Sequence, residues 1–146
     1  MMRNHPRIIG FLSQALNHEY GAVQQYLTQA SLCTLWGLED WAENFHKESR
    51  EELGHADLLS QRLLLMGIAP TGGHLRPPRP GRDLLEMVSH DTLLERAAVD
   101  LYAEAEAFAL RLRDPEAAAL FARLRGEEED HLRHLQEQCA ALEGRA

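Results

Sequence analysis

Gly67-Ile68-Ala69-Pro70-Thr71-Gly72-Gly73-His74-Leu75-Arg76-Pro77-Pro78-Arg79-Pro80-Gly81-Arg82 decides how this chain is organised. Four of the six prolines lie in it, the others being Pro6 and Pro115. Proline fixes φ and has no N–H, so this stretch cannot continue a helix, and it has no alternation that would make a strand. It is a long connection between two halves. On either side, apolar residues recur with helical period. The first half reads as a helix over about 6–35, broken at Trp36-Gly37, and a second over about 39–66 with Gly67 placed to cap it. The second half reads as a helix over about 83–113, started by Asp83, and a fourth over 115–143. Asp114-Pro115 is an N-cap followed by proline in the first turn. Short links force antiparallel neighbours, whereas the 67–82 crossover lets the third helix run parallel to the second. The expected fold is all-α, a ferritin-like four-helix bundle of two antiparallel hairpins, forming a single domain over 1–146.

The apolar stripes contain residues that do not belong in a core. In the first helix Leu12, Ala15 and Leu16 lead to Glu19 and on to Ala22, Tyr26 and Ala30. In the second, Phe45 leads to Glu52 and His55, then Ala56, Leu59 and Leu63. In the third, Met87 and Val88 lead to Glu95, then Ala98 and Tyr102. In the fourth, Phe121 and Leu124 lead to Glu128 and His131, then Leu135. Residues three, four or seven apart share a helix face, so these acids point where the apolar residues point. Four buried carboxylates repel one another, and no Lys or Arg stands among them at that level. Metal cations answer the problem.

The spacing repeats. Glu19 to Glu52 spans 33 positions (52−19), and Glu95 to Glu128 also spans 33 (128−95). Each second glutamate is followed by histidine at +3, and each first one by tyrosine at +7. The constellation recurs at an offset of 76 (95−19). A pseudo-two-fold would bring Glu19, Glu52, His55, Glu95, Glu128 and His131 to one level. Hard oxygen donors with two imidazoles and no thiolate suit iron, with manganese as the alternative. Glu from two helices plus Glu-x-x-His from the other two is the ligand pattern of ferritin-like di-metal proteins.

The remaining chemistry narrows the field. A net charge of −8 argues against nucleic acid as a partner. No apolar run is long enough to cross a bilayer, and Met1-Met2-Arg3-Asn4-His5-Pro6 does not read as a signal peptide. Cys33 and Cys139 form no paired motif, so a reducing cytoplasm is the expected setting. Asp91, one turn before Glu95, is a candidate to orient a metal-bound histidine. His134 reads as a surface residue; His5, His18, His74 and His90 join no constellation.

With Asn17-His18-Glu19-Tyr20, Gln25-Tyr26, Trp36-Gly37-Leu38, Glu52-Leu53-Gly54-His55-Ala56-Asp57 and Glu127-Glu128-Glu129-Asp130-His131, the chain resembles a bacterioferritin from about residue 7 to 142. The resemblance implies a di-iron ferroxidase centre. Glu19 and Glu95 would be terminal ligands, Glu52 and Glu128 bridges, and His55 and His131 would bind one iron each. It places Tyr26 beside the centre, in a catalytic or packing role, while packing is the expectation for Tyr102. It implies Fe2+ oxidation by O2 or H2O2 for storage or detoxification, with two iron ions per chain and a ferredoxin as electron-donating partner. Three departures carry expectations of their own. The family's haem-binding methionine is replaced by Leu53, so haem is not expected by that mode; Met66 and Met87 read as core fillers. Lys47 beside Glu51 replaces the family's histidine-and-acid pair on the inner surface. The chain ends at Ala146 soon after the fourth helix, without the family's fifth, so a homodimer is expected and a 24-subunit cage stays open. The alternatives are a rubrerythrin-like di-iron peroxidase that stores no iron, and a non-storing subunit of a mixed assembly.

Overall fold

Three of the four helices begin on a residue whose side chain accepts a first-turn N–H. His5 Nδ1 accepts from Arg7 N at 3.1 Å, Asp83 Oδ1 from Glu86 N at 2.8 Å and Asp114 Oδ1 from Ala117 N at 3.2 Å. These caps satisfy donors that have no partner inside the helix. In a computed structural model describing residues 4–144, they open α1 (Pro6–Leu35), α3 (Leu84–Arg111) and α4 (Pro115–Glu143). α2 (Glu39–Leu65) has no side-chain cap. Met1–Arg3 and the last two residues, Arg145 and Ala146, lie outside the described residues, and with them part of the readings of the two termini.

One stop signal ends α1, α2 and α3. After α1, Leu38 N donates to Cys33 O at 2.8 Å and Gly37 N to Thr34 O at 3.1 Å. After α2, Ile68 N donates to Leu63 O at 2.9 Å, and after α3, Asp114 N donates to Ala109 O at 2.9 Å. This Schellman closure needs a left-handed residue. Gly37 and Gly67 supply it at φ 76° in the first two. In the third it falls on Arg113 at φ 60°. That is why α3 stops at Arg111 rather than near Arg113.

Side-chain contacts fix the directions. Phe11 meets Phe108 while Gln29, eighteen residues further along α1 (29−11), meets Met87 O and Asp91, so α1 and α3 are antiparallel. Arg62 reaches Glu116 while Glu52 faces His131, so α2 and α4 are antiparallel too. Each hairpin, α1/α2 and α3/α4, is itself packed along its length, and no strand occurs among the described residues. The result is a four-helix bundle in which the crossover returns the chain along the outside of α1. Asn17 Nδ2 donates to Thr71 O, His74 N to Asn17 Oδ1, and Gln29 Nε2 to Pro80 O. Gly81 ends this strap at φ 103°, where a Cβ would lie 2.7 Å from Met87 N.

The core is in two parts. One, around Leu12, Leu16, Leu59, Leu63, Tyr102, Phe121 and Leu124, fills one end of the bundle. The other, around Ala22, Tyr26, Cys33, Phe45 and Met87, fills the opposite end. The polar residues of the stripes lie between them. No helix is long and apolar enough to cross a membrane among the described residues.

Candidate metal centre

Glu19, Glu52, Glu95 and Glu128 are fully buried (0 % exposed) at the level between the two apolar clusters. His55 is buried with them and His131 is partly covered. All six residues singled out by the repeat meet there. Donor atoms of Glu19, Glu52, His55 and Glu128 lie within 4.8 Å of one another, and so do those of Glu52, Glu95, Glu128 and His131. The two sets share Glu52 and Glu128. His55 Nδ1 is 3.0 Å from Glu128 Oε1 and 3.5 Å from Glu19 Oε2. His131 Nδ1 is 2.9 Å from Glu52 Oε1 and 3.3 Å from Glu128 Oε1. The imidazole planes are nearly parallel, at 18°, with ring centroids 6.0 Å apart.

The two tyrosines do the same work. Tyr26 OH donates to Glu95 Oε1 at 2.7 Å, and Tyr102 OH donates to Glu19 Oε1 at 2.7 Å. Packing alone was expected of Tyr102; the structure gives it a hydrogen bond equal to that of Tyr26. Burial raises both phenols well above their usual range, and the Glu95 or Glu19 carboxylate raises them further, so both stay donors. Each phenol occupies one oxygen of its glutamate. The other oxygens, Glu19 Oε2 and Glu95 Oε2, have no hydrogen-bond partner, nor do both oxygens of Glu52 and Glu128 or the Nδ1 atoms of His55 and His131. Leaving one such atom unpaired costs about 1–3 kcal/mol, so eight in one place ask for a common partner. A pair of hard divalent cations fits this donor set.

The charges agree. Burial disfavours charge on the histidines, but the adjacent carboxylates of Glu128, Glu19 and Glu52 outweigh it and push His55 up to about 12. Glu128 and its neighbours push His131 up to about 10 against the same burial. Burial first, and neighbouring carboxylates second, hold Glu52 and Glu95 well above the usual carboxylate range. Burial would raise Glu128 too, but the neighbouring Glu95 carboxyl and the His131 and His55 imidazoles hold it well below that range. Protons therefore balance the cluster, at positions for which a metal cation competes.

Sequence reasoning missed the residues behind the histidines. Glu127 Oε2 lies 3.1 Å from His55 Nε2, and Glu51 Oε2 lies 2.6 Å from His131 Nε2. Each acid sits on the hairpin opposite its histidine. Each faces the Nε2 edge of its imidazole at ion-pair distance, while Nδ1 turns to the glutamate cluster. Glu51 thus turns to His131 rather than to Lys47. The signal was available: Glu51 and Glu127 obey the same offset of 76 (127−51). Asp91, expected to orient a histidine, does not. It is fully buried and its Oδ1 accepts from Gln25 Nε2 and Gln29 Nε2, each at 2.8 Å.

A crossover bundle with this paired acid-and-imidazole cluster is of the ferritin-like class. The family profile described as a ferritin-like domain matches residues 9–144. Bacterioferritin of Rhodobacter capsulatus is 34 % identical over 139 residues, 95 % of this chain and 86 % of that protein. A bacterial ferritin of Pseudomonas aeruginosa is 33 % identical over 144 residues, 97 % of this chain and 92 % of that one. A solved structure of the R. capsulatus bacterioferritin superposes with a TM-score of 0.94 at 32 % identity, over 97 % of this chain and 89 % of that one. That structure is described as having a metal-free dinuclear site and a haem iron. The chain belongs to the bacterioferritin family, and iron storage is the function that membership supports.

Proposed function

We propose that the chain is a ferroxidase that oxidises Fe2+ to Fe3+ at a paired site. Glu19 and His55 would hold one ion, Glu95 and His131 the other, and Glu52 and Glu128 would bridge them. The observation that carries this reading is the pair of four-donor sets sharing two carboxylates. Iron bound there supplies one electron per ion to O2 or H2O2. The chain's part is electrostatic and positional. Four anionic oxygen donors favour Fe3+ over Fe2+. Tyr26 and Tyr102 each take one oxygen of a terminal glutamate and aim the other inward. Glu51 and Glu127 orient the imidazoles. The apolar clusters on both sides restrict the centre to small ions and oxidants. Glu52→Ala or Glu128→Ala should abolish fast Fe2+ oxidation with helix content unchanged; wild-type rates in either would remove the assignment.

Haem is not part of this reading. Leu53 offers no donor atom and is 52 % exposed, while Met66 and Met87 are buried in the core away from the surface. Leu53 and Leu64 are exposed three turns apart on one face of α2, an apolar face suited to a second copy of the chain. We read the protein as a single-domain cytoplasmic homo-oligomer, a dimer at least. A mixed assembly is the second reading, favoured by Leu53: such a subunit would contribute ferroxidase sites beside a haem-carrying relative and would co-purify with it. A rubrerythrin-like peroxidase predicts turnover with H2O2 and a donor and about two irons retained per chain.

A further inference from the structure

Arg76-Pro77-Pro78-Arg79 is a part of the crossover that the metal centre does not use. Its backbone is pinned to both neighbouring helices. Gln24 Nε2 donates to Arg76 O, Arg79 N donates to Gln25 Oε1 at 3.2 Å, and His90 Nδ1 donates to Arg79 O at 2.9 Å. Two prolines hold φ fixed between the arginines. The two guanidinium-bearing residues are thus held at a set spacing over the groove between α1 and α3.

A cavity of about 800 Å³ lies there. Arg76, Arg79, His18, His74 and His90 line it, and no Asp or Glu does among the described residues. In a chain of net charge −8 this is a local reversal of sign. Neither arginine has a carboxylate partner among the described residues. Beyond His90, the α3 side of the same cavity is apolar: Leu93, 61 % exposed, with Leu94 and Ala97.

We propose that this cavity binds an organic phosphate, with the phosphoryl group on Arg76 and Arg79 and the apolar body against Leu93, Leu94 and Ala97. The guanidinium fork matches phosphate oxygens in pairs, and two arginines balance a phosphomonoester of about −1.5 to −2 at pH 7. The volume falls within the ~300–1,000 Å³ typical of small-molecule sites, and a bare phosphate would leave most of it to water. None of the six metal-centre residues takes part, so this site and the ferroxidase reading stand or fall separately.

The test is calorimetric titration of the full-length protein at constant ionic strength with phenyl phosphate, inorganic phosphate and phenol. It is run on protein as isolated and again after iron is chelated. Phenyl phosphate should bind saturably, one per chain, at least tenfold tighter than inorganic phosphate, with no binding of phenol and no dependence on iron. R76Q/R79Q should weaken it at least tenfold with helix content unchanged, since both side chains are exposed on the crossover. Leu93→Ser should weaken phenyl phosphate and leave inorganic phosphate unaffected. Absence of saturable binding, equal affinity for the two phosphates, binding that vanishes with iron, or an unaltered affinity in folded R76Q/R79Q would each overturn the proposal.

Discussion

Replacing Glu51 with glutamine tests how the centre holds its histidines. The bond to His131 Nε2 is 2.6 Å long, shorter than the 3.1 Å between Glu127 and His55. The Glu51 side chain is 38 % exposed, so solvent already shares its charge. Glutamine keeps the shape and an acceptor oxygen but loses the anion. Removing such an orienting partner costs about 10–100-fold in metal affinity, or ~1.4–2.7 kcal/mol. Partial exposure and the retained acceptor put Glu51→Gln at about tenfold, and Glu51→Ala nearer a hundredfold. The effect should be one-sided, weakening the ion bound by Glu95 and His131 and sparing the one bound by Glu19 and His55. Anaerobic Co2+ titration of metal-free protein, read by visible absorbance, resolves the two steps. Glu127→Gln should weaken the other step, by less. Unchanged affinity in Glu51→Ala, or equal weakening of both steps, would refute the claim that these acids act through individual histidines.

Three further outcomes follow from single contacts. Tyr102→Phe should slow Fe2+ oxidation about as much as Tyr26→Phe, because the phenols make equal 2.7 Å bonds to Glu19 and Glu95; a silent Tyr102→Phe would return that residue to simple packing. Burial pushes Asp91 up to about 7, against the lowering hydrogen bonds from Gln25 and Gln29. A raised folded-state value means that its proton stabilises the fold below the unfolded value near 3.8, a contribution lost as pH rises to about 7. Asp91→Asn should therefore gain stability relative to wild type by a few kcal/mol at pH 8 and little at pH 4, at about 1.4 kcal/mol per pKa unit; denaturant melts at the two pH values measure it, and an equal shift at both would contradict it. Arg113→Gly should raise stability by about 1 kcal/mol, since glycine takes φ 60° without strain, and a fall in the melting midpoint would count against it.

The crossover was legible because Pro70, Pro77, Pro78 and Pro80 forbid helix, and because each hairpin closes on a short glycine or Asp-Pro link. The six clustered acids and histidines were legible through repetition: an acid on an apolar face is ambiguous once but not at a fixed offset on four helices. Arg113 was not legible, because a left-handed arginine carries no composition signal of the kind Gly37 and Gly67 carry. Glu51 and Glu127 follow the repeat but lie partly exposed, where acids are ordinary and hydrophobic pattern is silent. Asp91 was misassigned because helical phase placed it beside Glu95, while its partners Gln25 and Gln29 come from α1 and only packing reveals them. His18, His74 and His90 looked unrelated in sequence since they come from three different segments and meet only where the crossover spans α1 and α3.

The central claim is that one level of the bundle holds a pair of ions bridged by Glu52 and Glu128. Anaerobic equilibrium dialysis of metal-free protein against Fe2+ tests it most directly, with wild type and Glu128→Ala side by side. The account predicts about two tightly held ions per wild-type chain, and loss of tight binding at both positions in Glu128→Ala because each donor set includes that residue. One ion per chain in wild type, or a variant that keeps one of two at full affinity, would contradict it.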